Sequence, residues 1–200
     1  MRDIVKTVII LSVIAVISGA LLGGINSITQ IDAEEQLKAK LVKVYNNPSE
    51  LTRVSLTDNP SLNPVNDPEV VKYGSVLDVF TAPDGTYVIR ALGKGGYGGD
   101  IEMLYAIKDY KIIKIAVYKH AETPGLGSKG FEESYLARYI GKDIRDFDKF
   151  VLDKNPDKTN EIKAITGATY TSNAIINTTN IAALWYKVNG PESNKEKDNE

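Results

Sequence analysis

The stretch VLDVFTAPDGTYVIRALGKGGYGGDIEMLYAIKDYKIIKIAVY, residues 76–118, decides the fold. Over Val76–Thr81 the side chains alternate, with Val76, Asp78 and Phe80 opposed to Leu77, Val79 and Thr81. A period of two is the mark of a strand with two different faces. Pro83-Asp84-Gly85 carries turn residues, and Thr86–Leu92 is the returning strand, so the two form a hairpin. A glycine-rich run, Gly93 to Asp100, reads as a loop. Ile101–Ile107 and Ile112–Tyr118 make a second pair that turns at Asp109-Tyr110-Lys111. Links this short join antiparallel neighbours, because parallel strands need a long crossover.

Downstream, Glu132–Tyr139 reads as a short helix and Ala174–Val188 as a longer one ending near Gly190. Upstream, Asp32–Tyr45 places Ala33, Leu37, Leu41 and Val44 on one helical face. Asn46–Pro68, rich in proline and asparagine, suits an irregular connection. The class is α+β: one domain with an antiparallel sheet and flanking helices. The expected divisions are a tail and membrane helix at 1–30, a helical and irregular connection at 31–69, the main domain at 70–190, and a polar, disordered tail at 191–200.

The first segment is apolar enough to enter a bilayer. Thr7 to Gln30 carries no charge, and Val8–Ile25 has only Ser12 and Ser18 as polar side chains. Those residues reach roughly the minimum length for a ~30 Å hydrocarbon core, so residues 8–25 are expected to meet lipid. Arg2 and Lys6 precede the segment; Asp32, Glu34 and Glu35 follow it. The positive-inside bias leaves the N-terminus in the cytoplasm and the domain outside. A cleaved signal peptide is the competing reading. The run is longer than an ordinary signal core, and no A-x-A site follows it.

Composition closes off several chemistries. The chain has no cysteine, so it holds no disulfide, no cysteine-ligated zinc and no iron–sulfur cluster of its own. A single histidine argues against a histidine-rich metal site, and no metal site is expected. A net charge of −2 offers no electrostatic case for nucleic acid. Redox chemistry, if present, belongs to an organic cofactor or to a partner.

Two clusters remain. Thr166-Gly167-Ala168-Thr169-Tyr170-Thr171-Ser172 leads into the last helix, with Thr171 or Ser172 as the natural cap. Small residues permit close approach, and a helix start favours a phosphate. The same residues also read as a plain capped turn. His120-Ala121-Glu122-Thr123-Pro124-Gly125-Leu126-Gly127-Ser128-Lys129 follows a strand directly. Pro124, Gly125 and Gly127 give that loop a defined shape, while His120, Glu122, Thr123 and Lys129 suit a planar ring and its phosphate. A surface turn is the plainer alternative. The glycine run lacks a Gly-Lys-Ser/Thr ending, so it is not a P-loop, and it lacks the strand–helix setting of a dinucleotide fold. Thr169 has no base near it in sequence, which argues against a threonine nucleophile.

Together, His-x-Glu-Thr-Pro-Gly-Leu-Gly and Thr-Gly-Ala-Thr-x-Thr-Ser resemble the FMN-binding domain shared by two redox-complex components. These are the G subunit of the Rnf electron-transport complex and the C subunit of the sodium-translocating NADH:quinone reductase. The resemblance spans about Val70 to Val188, and the short chain favours the Rnf component. It implies an FMN phosphate joined to Thr169 as a phosphoester by a separate flavin transferase. Thr166, Gly167, Ala168, Thr171 and Ser172 are then expected around the cofactor. So are His120, Glu122, Thr123, Gly125, Leu126, Gly127 and Lys129, with Tyr97 from the glycine run. It further implies an electron relay inside an ion-translocating ferredoxin:NAD oxidoreductase, a translocase in which this component has no catalytic residue and no independent turnover. Its partners would be the other membrane and iron–sulfur subunits. A non-redox extracytoplasmic binding or scaffold module is the alternative from another class.

Overall fold

A computed structural model describes residues 2–29, 33–56 and 68–191. The chain divides into two compact units, residues 1–38 and 39–200. The first contains helix α1 (Arg2–Thr29) and most of α2 (Ala33–Leu41). The window Ile4–Leu21 has a mean hydropathy of 2.4 and none of it is buried. By length and composition this helix qualifies as a membrane span.

The second unit is built on an antiparallel meander. The strands are β1 (Thr52–Arg53), β2 (Gly74–Thr81), β3 (Tyr87–Gly96), β4 (Gly99–Lys108) and β5 (Lys111–Lys119), in spatial order β1-β2-β3-β4-β5. A four-residue helix α3 (Pro68–Val71) precedes β2. The connection expected to be irregular therefore contributes an edge strand, with Thr52 opposite Thr81. The expected irregular stretch from 57 to 67, and the tail from 192, lie outside the described residues.

Two readings of the sheet change. Gly93–Gly96 is strand rather than loop, and only Tyr97 and Gly98 remain between β3 and β4. Glycine works in this strand because helix α5 (Thr169–Asn189) crosses it closely. A Cβ on Gly93 would stand 2.6 Å from the Thr178 methyl and 2.8 Å from its backbone nitrogen. In β2 the strict alternation fails. A register shift between Val76 and Asp78 turns both Val76 and Val79 toward the core, while Asp78 faces the other way against Arg90. The β4–β5 turn stands where expected, with Asp109 and Tyr110 at φ 49° and 60°, as a tight hairpin turn requires.

One face of the sheet presents Ile89, Ala91, Ile101, Met103, Tyr105 and Ile107 to α5, which contributes Ala174, Ile175, Ala182, Trp185 and Tyr186. Phe80, Val88, Leu104 and Ala106 alternate onto the opposite face and are also buried. Between β5 and α5 the chain forms a 3₁₀ turn (Gly127–Phe131), helix α4 (Glu133–Leu136), and strands β6 (Val151–Asp153) and β7 (Glu161–Lys163). These last two pair in parallel. Helix α4 is shorter than expected. Beyond it the chain continues in single turns, such as the Tyr139 N–H donating to the Leu136 carbonyl.

Candidate functional site

The meander brings three segments to one end of the sheet. The β3–β4 turn, the exit of β5 and the start of α5 converge there, with Glu102 opposite Lys119. They enclose a cavity of about 200 Å³ lined by Tyr97, Glu122, Thr123, Leu126, Gly127 and the run Gly167–Thr171.

The start of α5 departs from the sequence reading. The cap position is Ala168, with no side-chain cap bond, and Thr169 is the first helical residue. Thr171 and Ser172 lie inside the first turn and are fully buried. Ser172 still stabilises the entry, but backward. Its Oγ accepts the Ile165 N–H at 2.9 Å and donates to the Ala168 carbonyl at 3.0 Å. Gly167 turns the chain at φ 77°, and the Ala168 N–H donates to the Ile165 carbonyl. The first N–H groups of a helix have no intrahelical partner and make a ready anion site. Thr169 is exposed at that point.

Glu122 ties the three segments together. It is 5% exposed. One carboxylate oxygen accepts the Gly98 N–H at 3.0 Å, and the other accepts the Thr171 hydroxyl at 2.6 Å. The fit depends on missing side chains. A Cβ on Gly127 would lie 2.5 Å from one Glu122 oxygen and 2.6 Å from Thr171 Oγ1, and one on Gly96 would lie 2.6 Å from the other oxygen. Tyr97, Leu126 and Tyr170, all lining the cavity, are large and exposed.

Of the expected residues, Tyr97, Glu122, Thr123, Leu126, Gly127, Gly167, Ala168, Thr169 and Thr171 line the cavity. His120, Gly125, Lys129, Thr166 and Ser172 do not. His120 Nδ1 accepts the Glu122 N–H at 3.1 Å, and its ring lies 4.1 Å from that of Phe131. Burial pushes its pKa below the ordinary imidazole value; Glu122 opposes this and Lys40 adds to it. Gly125 shapes the loop, at φ 76°, and donates its N–H to Ser128 Oγ. Two residues beyond the expected set belong to the site: Gly98, in the Gly96–Gly99 segment that also resembles the family, donates to Glu122, and Tyr170 stands inside the second motif. The signal for Gly98 was its place in the glycine run.

Residues 96–183 match the model of the FMN-binding domain. The site thus sits in an FMN-binding domain. The chain is 32% identical to the G subunit of the proton-translocating ferredoxin:NAD(+) oxidoreductase complex of Clostridium ljungdahlii, over 82% of each chain. It is also 32% identical to the G subunit of the Na(+)-translocating ferredoxin:NAD(+) oxidoreductase complex of Acetobacterium woodii, over 50% of this chain and 49% of that one. Among solved structures, NqrC of Shewanella oneidensis is similar at a TM-score of 0.48 and 23% identity, covering 62% of this chain and 64% of that one. The chain belongs to the G-subunit family of ion-translocating ferredoxin:NAD(+) oxidoreductase complexes.

Proposed function

We propose that this chain is the membrane-anchored flavoprotein of an ion-translocating ferredoxin:NAD(+) oxidoreductase complex, carrying FMN as a phosphoester on Thr169. The observation that carries the reading is the placement of Thr169. It is an exposed hydroxyl on the first residue of a 21-residue helix, in the wall of a cavity shared with Glu122, Thr123 and Leu126. A phosphate esterified there faces free N–H groups and the positive end of the helix dipole.

The cavity suits part of the cofactor. Pockets that enclose whole small ligands run to roughly 300–1,000 Å³, and this one is about 200 Å³. It would take the phosphate end, leaving the flavin ring against the exposed Tyr97, Leu126 and Tyr170. Bound FMN supplies acceptance and release of electrons singly or in pairs. The chain's part is to fix that group and set its surroundings. Ser172 and Gly167 hold the turn before Thr169, and Glu122 holds the helix to the loop. A flavin transferase makes the link, and the other subunits of the complex supply and remove electrons.

The proposal extends to the divisions and the location. Residues 1–30 anchor the chain in lipid with the N-terminus inside, 31–69 connect, 70–190 form the flavin domain outside the cytoplasm, and 191–200 are a tail. Labelling from outside the cell tests this orientation.

The decisive experiment produces the chain together with its flavin transferase and inspects the denatured band for flavin fluorescence. Wild type is expected to fluoresce and Thr169→Ala to be dark. A dark wild-type band, or a fluorescent mutant, overturns the covalent assignment.

A further inference from the structure

Glu122 is a buried carboxylate without a counter-charge. Among the described residues it takes part in no ion pair, in contrast to Asp78, Asp84, Glu102, Asp143 and Glu161. Both its oxygens accept hydrogen bonds, from Gly98 and from Thr171. The Gly98 N–H can only donate and the Thr171 hydroxyl is able to donate, so both oxygens of an ionised Glu122 have partners. The neighbouring imidazole of His120 does not compensate, because burial holds its pKa below the ordinary value and leaves it neutral at pH 7. Nor can the carboxylate swing away readily. Gly96 and Gly127 stand so close that a single methyl group on either would press on its oxygens.

A charge of this kind is costly to bury and acts over distance through a medium of low polarity. It lies in the wall of the same cavity as Thr169. Resting on the flavin reading above, we propose that Glu122 is an electrostatic positioning residue that lowers the reduction potential of the flavin held at Thr169. Two-electron reduction with uptake of one proton from water would leave one net negative charge on the ring, and a fixed anion in the same site would disfavour that reduced form. The hydrogen bonds it accepts keep the charge in place, and the Thr171 hydroxyl partly shields it. The role is distinct from contact with the cofactor: the carboxylate is already occupied by the protein's own donors.

Glu122→Gln isolates the charge. A glutamine keeps the shape, accepts the Gly98 N–H with its oxygen, and donates to Thr171 with its amide. The experiment titrates the flavin absorbance of covalently loaded wild type, Glu122→Gln and Thr171→Val against potential. Expected is a midpoint shifted to more positive values in Glu122→Gln. Thr171→Val keeps the charge and removes a shielding donor, so its midpoint stays put or moves to more negative values. Loosened packing would instead shift both variants in the same direction. An unchanged or more negative midpoint in a loaded Glu122→Gln overturns the proposal. If that variant does not fold, a positive shift in Thr171→Val overturns it alone. In-gel fluorescence of the wild type separates the two claims. A dark wild-type band removes the covalent reading and this proposal with it; a fluorescent one with unmoved variants removes only this proposal.

Discussion

Two glycines two residues apart in one loop are there for different physical reasons. Gly125 has φ 76° and nothing within 4 Å of where a Cβ would stand. Its constraint is the backbone, since L-residues pay about 1–2 kcal/mol in the left-handed region. Gly127 has an ordinary backbone but would drive a methyl into Glu122 and Thr171. Overpacking of this kind costs about 1–3 kcal/mol. Both alanine variants are therefore expected to lose stability, but asparagine separates them. At Gly125 asparagine tolerates the left-handed conformation and recovers part of the loss; at Gly127 it is larger than alanine and makes the loss greater. Chemical denaturation of the alanine and asparagine variants checks the ranking, and asparagine ranking the same way at both sites would contradict the distinction. The sequence marked both as loop-shaping glycines and could not separate them. What makes Gly127 special is the bond between Glu122 and Thr171, which are 49 residues apart in the chain.

At the scale of elements, the hairpins were legible because each strand carries its own period and each turn its own chemistry. The departures have one cause: tertiary contact overrides local preference. Gly93 to Gly96 looks like loop, yet it is strand, and α5 crosses so closely at Gly93 that a Cβ there would press on Ala174 and Thr178. The start of α5 looks like a hydroxyl cap, yet Thr171 is drawn inward by Glu122 and Ser172 folds back on Ile165. Strands β6 and β7 are three residues each, too short to show a period. They are held by α5 instead. Asn180 Oδ1 accepts the Phe150 N–H at 2.7 Å, and its amide donates to the Phe150 carbonyl at 3.0 Å. Lys187 adds bonds to the carbonyls of Phe147 and Asp148. Phe150 is 1% exposed, so Asn180→Ala leaves two backbone groups without this partner, at about 1–3 kcal/mol for each. The expected sign is a loss of hydrogen-exchange protection at the Phe150 amide that exceeds the loss in the β3–β4 hairpin. Uniform loss across both regions would mean that Asn180 does not hold this segment locally.

At the scale of the whole chain, one unit is a folded domain and the other is dominated by an apolar helix with nothing buried over Ile4–Leu21. The second unit holds a buried apolar core. Leu41 and Val44 are 3% and 4% exposed, and the sheet is buried on both faces. The exposed leucines, isoleucines and valines of α1 have no such core in water, where each would cost about 1.5–3 kcal/mol of unrealised burial. A bilayer removes that cost, and the proposed orientation rests on the basic residues Arg2 and Lys6 ahead of the apolar run. The cysteine-free sequence makes this testable without background. Lys114→Cys puts a thiol at an exposed position on β5, and Asp3→Cys puts one ahead of the apolar run. In intact spheroplasts an impermeant maleimide is expected to label the first and to reach the second only after the membrane is broken. The reverse pattern would turn the domain inward and remove the proposed location of the flavin. An alkaline wash completes the test: an anchored chain stays with the membrane, whereas release would identify the apolar segment as a cleaved leader.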